Sequence, residues 1–267
     1  MPLPENAESV AVAACLAGGR YLERAFETGD TEATYLATDA KSSADVESEE
    51  RMLAVLEEAF PEHTVDAEES GVYAGEDRYR WVVDPLDGTN NFEAGLPSFA
   101  AAATLLVDGE AELAVVHAPV PDDLYVCRRG EGLRYGGASG DPAERVTGDE
   151  TPTVDPEAAT VMSVIGHDVK RDAEASAVSA RIDRGIEAAC KRRLESWSPT
   201  VHWGLLARGR VDGAVAYRPD AEEQPLGELF VEAAGLETAA GEEWFVAART
   251  GALREALVEV VAEATSS

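Results

Sequence analysis

The segment Trp81-Val82-Val83-Asp84-Pro85-Leu86-Asp87-Gly88-Thr89-Asn90-Asn91-Phe92 gathers the groups in this chain best able to do chemistry. An apolar run ending in Asp84 reads as a buried strand that carries a carboxylate to a sheet edge. Pro85 stiffens the turn, and Asp87 adds a second carboxylate three residues later. Gly88 permits a positive φ or a close backbone approach. Thr89-Asn90 then opens a short helix, whose first N–H groups lack intrahelical acceptors and attract an anion. Two carboxylates beside such a turn repel a bare phosphate but suit phosphate with Mg²⁺. Magnesium takes hard oxygen ligands, few of them from protein and the rest from water and phosphate. In an acidic chain a lone Asp-x-x-Asp can equally be a capped loop, so the assignment needs support from elsewhere.

The elements around the motif supply positions. Helical spacing of apolar residues predicts a helix over 7–27 and a second from Asp45 to Phe60, with Asp45 as N-cap and Pro61 blocking extension. A strand at Thr64–Asp66 leads into a loop, Glu68-Glu69-Ser70, and Tyr79–Asp84 forms the strand that delivers Asp84. Phe99–Val107 and Ala111–His117 read as a hairpin around Asp108-Gly109-Glu110. Leu124–Cys127 and Leu133–Tyr135 continue the sheet. Residues 138–156, rich in Gly, Asp, Pro and Thr, mark a boundary. We divide the chain there into 1–145, an α+β half with the metal and phosphate site, and 146–267, an α/β half shaping specificity. The second half alternates: strands at Thr160–Ile165, Gly213–Tyr217 and Trp244–Ala248, and helices at 172–190, 199–208, 225–234 and 251–264.

Composition narrows the function classes. Fifty-two acidic against 22 basic residues give a formal charge of −30, spread along the whole chain. A surface of that sign repels a phosphate backbone, which argues against a nucleic-acid binder. It also predicts adaptation to a salty, halophilic cytoplasm, where the screening length falls to about 3 Å at 1 M salt. No apolar run reaches membrane-span length and the N-terminus lacks a secretory signal pattern, so a cytoplasmic location is expected. Three cysteines without CxxC spacing read as buried apolar residues, and the four histidines are too dispersed for a zinc cluster. Lys191-Arg192-Arg193 reads as a solvated helix end.

With Asp45 and Glu49 one turn apart, Phe60-Pro61, Glu68-Glu69-Ser70 and the Asp84–Phe92 motif in this order, the chain resembles the inositol monophosphatase family. Gly95-Leu96-Pro97, Ala118-Pro119-Val120, Gly130-Glu131-Gly132, Gly209–Gly213 and Val231–Gly235 extend the likeness over about residues 5 to 250. The resemblance implies a layered α–β–α–β–α sandwich and Mg²⁺-dependent hydrolysis of a small phosphate monoester (an inositol, sugar or nucleotide phosphate) by a metal-activated water. It implies metal ligation by Glu68, Asp84, Asp87 and the Leu86 carbonyl. Asp45 and Thr89 would orient and deprotonate the attacking water, with Glu69 beside them, and Gly88, Thr89 and Asn90 would hold the phosphate. Homodimers are common among such relatives.

The C-terminal half departs from the family pattern. Glu223 stands where the family has a metal-ligating aspartate. Ala216 or Tyr217 replaces a glutamate that meets substrate hydroxyls, and the bulkier Trp197-Ser198-Pro199-Thr200 replaces a small-residue element. Arg218 is the candidate partner for an additional substrate anion. Two readings follow: an enzyme with an altered pocket, or a catalytically degenerate protein that binds a metabolite or regulates a partner.

Overall fold

A computed structural model of the protein describes residues 3–29, 32–35, 40–138, 144–146, 154–195, 197–220 and 222–266. The first half opens with α1 (Ala7–Thr28), a short hairpin of β1 (Ala33–Tyr35) and β2 (Ala40–Ser42), and α2 (Ser43–Ala59). The large sheet comprises β3 (His63–Ala67), β4 (Gly71–Tyr73), β5 (Glu76–Asp87), β6 (Ala100–Val107), β7 (Glu110–Ala118), β8 (Asp123–Arg128), β9 (Gly132–Gly137) and β10 (Glu144–Arg145). Its order is β10-β9-β8-β7-β6-β5-β3-β4, and α3 (Thr89–Glu93) interrupts it between β5 and β6. The second half contains β11 (Thr160–Ile165), α4 (Ala173–Ala189), β12 (Arg192–Glu195), α5 (Pro199–Ala207), β13 (Gly213–Tyr217), α6 (Gln224–Ala233), β14 (Glu237–Ala240), β15 (Trp244–Ala248) and α7 (Gly251–Thr265). Its five strands run in the order β12-β11-β13-β15-β14.

Alternation along the strands sorts side chains into layers. On β6, Ala101, Ala103 and Leu105 pack with Leu22, Met52 and Leu56 of α1 and α2. From the other face of the large sheet, Ala100 and Ala102 meet Trp203 of α5 and Phe230 of α6, which also touch Ala214 and Ala216 of β13. Val215 and Tyr217, the alternate β13 residues, face Ile182 and Ile186 of α4 and Leu253 and Leu257 of α7. The result is the anticipated α–β–α–β–α sandwich. The middle helical layer is shared by both halves. Among the described residues no helix is long and apolar enough to cross a membrane.

Several boundaries differ from expectation, for identifiable reasons. Helix α2 starts before Asp45: Ser42 is the N-cap, and Asp45 is the third helical residue of a capping box, accepting the Ser42 N–H at 2.8 Å. The Lys191-Arg192-Arg193 run leads into edge strand β12, where Arg193 pairs with Asp183 and Glu187. The β6–β7 loop is just Asp108-Gly109, both at positive φ, as a two-residue hairpin turn of this hand requires. The boundary segment 138–156 lies largely outside the described residues. The three cysteines are buried and free.

Candidate active site

Residues three apart on a regular strand face opposite sides of the sheet. Asp84 and Asp87 nevertheless reach one cleft, because strand β5 runs on to Asp87 and its register slips. Asp84 lies opposite Ala102 and Asp87 opposite Ala100, so three steps on β5 match two on β6. Pro85, which has no N–H to give the ladder, sits inside this bulge. The bulge is fastened by Leu86 N–H donating to Asp84 Oδ1 at 3.2 Å and by Ser48 Oγ donating to the Pro85 carbonyl at 2.8 Å.

Gly88 follows with φ +94°, and a Cβ there would lie 3.0 Å from the Ser98 and Trp197 carbonyls. The turn therefore demands glycine twice, by conformation and by space. The Thr89 hydroxyl lies 2.9 Å from Asp45 Oδ1 and 3.1 Å from the Leu86 carbonyl, two acceptors for its one proton. Thr89 and Asn90 open α3, only five residues long, so their N–H groups have no earlier turn to bond.

The remaining acids converge from three separate stretches. Glu68 and Glu69 stand on the loop after β3, whose Glu69 and Ser70 N–H groups donate to Glu49. Glu223 is the last residue before α6. Single carboxylate oxygens of Asp84, Asp87 and Glu223 lie within 4.8 Å of one another. Glu68 is not one of these three; it lines the same cleft, near enough for its charge to act on Asp84. Asp87 uses its oxygens unequally. Oδ2 accepts from Ser198 Oγ at 2.8 Å, from Thr200 N–H at 2.9 Å and from the Thr200 hydroxyl. Oδ1 is buried with no partner among the described residues.

Asp84, Glu223, Glu68, Asp87 and Asp45 are all shifted upward, with burial the leading cause in each. Burial, then the charges of Glu68, Asp87 and Glu223, drives Asp84 well above the carboxylate range. Burial, then Asp87 and Asp220, does the same to Glu223. Although much of Glu68 faces the open cleft, its carboxyl is desolvated among Asp45 and Glu69 and rises to about 8. Burial lifts Asp87 to about 6, with the Thr200 and Ser198 bonds opposing, and lifts Asp45 to about 7, with Ser42 and Thr89 opposing. Such a cluster is repulsive when fully ionised, and a divalent cation is the simplest species that relieves it. The hard carboxylate donors and the unpartnered Oδ1 fit one.

The cleft holds about 320 Å³. Its opposite wall carries His167, Lys170, Arg171, Glu195, Trp197 and Asp220. Lys170 Nζ lies 4.0 Å from the centre of the Trp197 ring and 3.2 Å from Glu195. His167 donates its backbone N–H to Asp220 at 3.0 Å, with Nδ1 2.9 Å from the same oxygen. Sequence reasoning had set His167 aside and had counted the 197–200 segment only as bulk. Arg218 does not join the cleft: it stands exposed at φ +45°, its guanidinium 2.5 Å from Glu243, and we withdraw it as a substrate contact. Asn90 and Glu69 do line the cleft.

The sequence profile described as the inositol monophosphatase family matches residues 3–265. Nus factor SuhB of Pasteurella multocida is 36% identical over 129 residues, 47% of this chain and 48% of that protein, so this match spans about half the relative's length. Nus factor SuhB of Salmonella typhimurium is 30% identical over 232 residues, 85% of this chain and 82% of that protein. The crystal structure of extragenic suppressor protein suhB from Bartonella henselae superposes with a TM-score of 0.82 at 24% identity, covering 95% of this chain and 97% of that one. This last likeness speaks for the fold. The chain belongs to the inositol monophosphatase family, a family of metal-dependent phosphatases.

Proposed function

We propose that the protein hydrolyses a small phosphate monoester with Mg²⁺, the ester being an inositol, sugar or nucleotide phosphate. One observation carries the reading: in the Asp84–Asp87–Glu223 triad, Asp87 Oδ2 is saturated by three donors while buried Oδ1 has no partner among the described residues. A buried aspartate that only closed a loop would have both oxygens hydrogen-bonded; one that meets a cation keeps an oxygen for it. In this reading Glu68, Asp84, Asp87, Glu223 and the Leu86 carbonyl hold the metal. When bound, Mg²⁺ neutralises charge on the phosphate and acidifies the attacking water. Thr89 and Asp45 orient that water, and Asp45, lifted to about 7, takes its proton near neutral pH. Glu69 flanks them. The N–H groups of Gly88, Thr89 and Asn90 cradle the phosphate, as phosphoryl transfer asks mainly for position and charge. The leaving group faces the opposite wall. Ala216 on β13 is buried against the middle helical layer and Tyr217 against α4 and α7, so Trp197, Glu195 and Lys170 take over recognition of the leaving group. Residues 146–267 thus shape specificity, while lending Glu223, Ser198 and Thr200 to the metal side.

The relatives' name, Nus factor SuhB, favours a second reading in which the cleft binds a metabolite without turnover and the protein acts on a partner. Phosphate release from inositol 1-phosphate, fructose 1,6-bisphosphate, adenosine monophosphate and glycerol 2-phosphate separates the two. The enzyme reading expects Mg²⁺-dependent release, abolished by chelation and lowered about 100-fold or more by Asp84→Asn. No release from any ester, with binding retained, would leave the second reading standing.

A further inference from the structure

Helix α2 places Asp45, Ser48 and Glu49 at i, i+3 and i+4, on one face. Each side chain bonds a different piece of the site. Asp45 meets Thr89 of the phosphate turn at 2.9 Å, and Ser48 Oγ donates to the Pro85 carbonyl of the bulge at 2.8 Å. Glu49 Oε2 accepts the Glu69 N–H at 2.8 Å and Oε1 accepts the Ser70 N–H at 3.0 Å. Glu49 is 3% exposed, and both its oxygens are taken by backbone. The loop it grips needs gripping. Glu68 stands among the like charges of Asp45, Glu69 and Asp84, which oppose holding the loop against the cluster.

We propose that Glu49 is a positioning residue: it fixes the backbone of Glu68–Ser70 so that the Glu68 carboxylate meets the metal, while Ser48 does the same for the Asp84–Asp87 bulge. The proposal rests on the reading that Glu68 is a metal ligand. A carboxylate suits the task because it offers two charged acceptors to two divergent N–H groups. Glutamine offers one acceptor and turns an N–H₂ against the other donor.

The test compares wild type, Glu49→Gln and Glu68→Gln in the intact chain. Mg²⁺ titration calorimetry without substrate is run beside hydrogen exchange of the 66–73 segment and kcat as a function of Mg²⁺. Glu49→Gln is expected to weaken Mg²⁺ binding about 10- to 100-fold, the range for residues that orient metal ligands. It should also speed exchange at Glu69 and Ser70, and kcat should recover at saturating Mg²⁺. Should Glu49→Gln not fold, Glu49→Asp keeps the charge, withdraws the oxygens by one methylene, and carries the same expectation. Wild-type Mg²⁺ affinity in the Glu49 variant, with binding lost in Glu68→Gln, would overturn the positioning role, even with a lowered melting temperature. Wild-type affinity in Glu68→Gln would overturn the metal reading itself, and this proposal with it.

Discussion

Asp87 divides its contacts unequally between two oxygens, and on the proposed function the partners of Oδ2 set how readily Oδ1 could serve a cation. Ser198 and Thr200 stabilise the ionised form and hold the group to about 6 against burial. Thr200→Val removes one donor and keeps the other two, so the Asp87 pKa rises. Mg²⁺ affinity at pH 7 should fall about 10-fold, with the acid limb of the pH–rate profile moving to higher pH. An unmoved limb would dissociate Thr200 from the chemistry. The same crowding makes a stability prediction. Asp87 and Asp45 rise from 3.8 to about 6 and 7, and Glu68 from 4.5 to about 8. The folded, metal-free protein therefore holds more protons than the unfolded chain. Its stability is fully present below the unfolded values, near pH 4, and declines as pH rises through 6 to 8. Melting temperatures without metal should drop over that window, and saturating Mg²⁺ should restore them increasingly with pH. A flat metal-free profile would contradict the crowded cluster. Asp84, Asp87 and Glu68 were legible in sequence because they lie in compact motifs. Ser198 and Thr200 were not, since their bonds to Asp87 span 111 and 113 residues and leave no local signature.

Elements, not single groups, convert an Asp-x-x-Asp spacing into a shared site. The β5 bulge rotates Asp87 to the side of Asp84, and Gly88 turns the chain immediately afterward. Gly88→Ala tests that turn. A left-handed conformation costs a residue with Cβ about 1–2 kcal/mol, and two carbonyls at 3.0 Å leave the new methyl no room. Chemical denaturation should show a loss of about 1–3 kcal/mol, and, on the proposed function, phosphate-ester turnover should fall more steeply than stability, because the displaced N–H groups are those proposed to hold the phosphate. Unchanged turnover would remove the turn from the phosphate site. Helices α1, α4 and α7 and the β6–β7 hairpin were readable from periodicity and turn chemistry. Strands β12 and β14 escaped because Arg192–Glu195 and Glu237–Ala240 are short edge strands with little burial and no apolar alternation to betray them. The start of α2 was misplaced because Asp45 resembles an N-cap by type, while Ser42 holds that position through a reciprocal bond.

At the scale of the whole molecule, two sheets share one helical layer, and the cleft lies where residues from both halves meet. That architecture must stay compact while carrying a formal charge of −30. The arginines disperse among the acids; Arg193, for instance, faces Asp183, Glu187 and Glu195 together. With 52 acidic against 22 basic residues, pairing still leaves a large unbalanced excess. Self-repulsion of that excess opposes folding in dilute buffer and fades as the screening length shrinks from about 10 Å at 0.1 M salt to about 3 Å at 1 M. We therefore propose that the protein is built for concentrated salt. Its melting temperature should climb about 10 °C between 0.1 M and 2 M KCl, equivalent to about 2.5–5 kcal/mol at 2–4 °C per kcal/mol for a chain of this size. Isosmotic sucrose is the control: it favours compact states by exclusion without screening, so an equal rise in sucrose would assign the effect to burial rather than charge. A melting temperature indifferent to KCl would mean that the acidic surface is tolerated without salt.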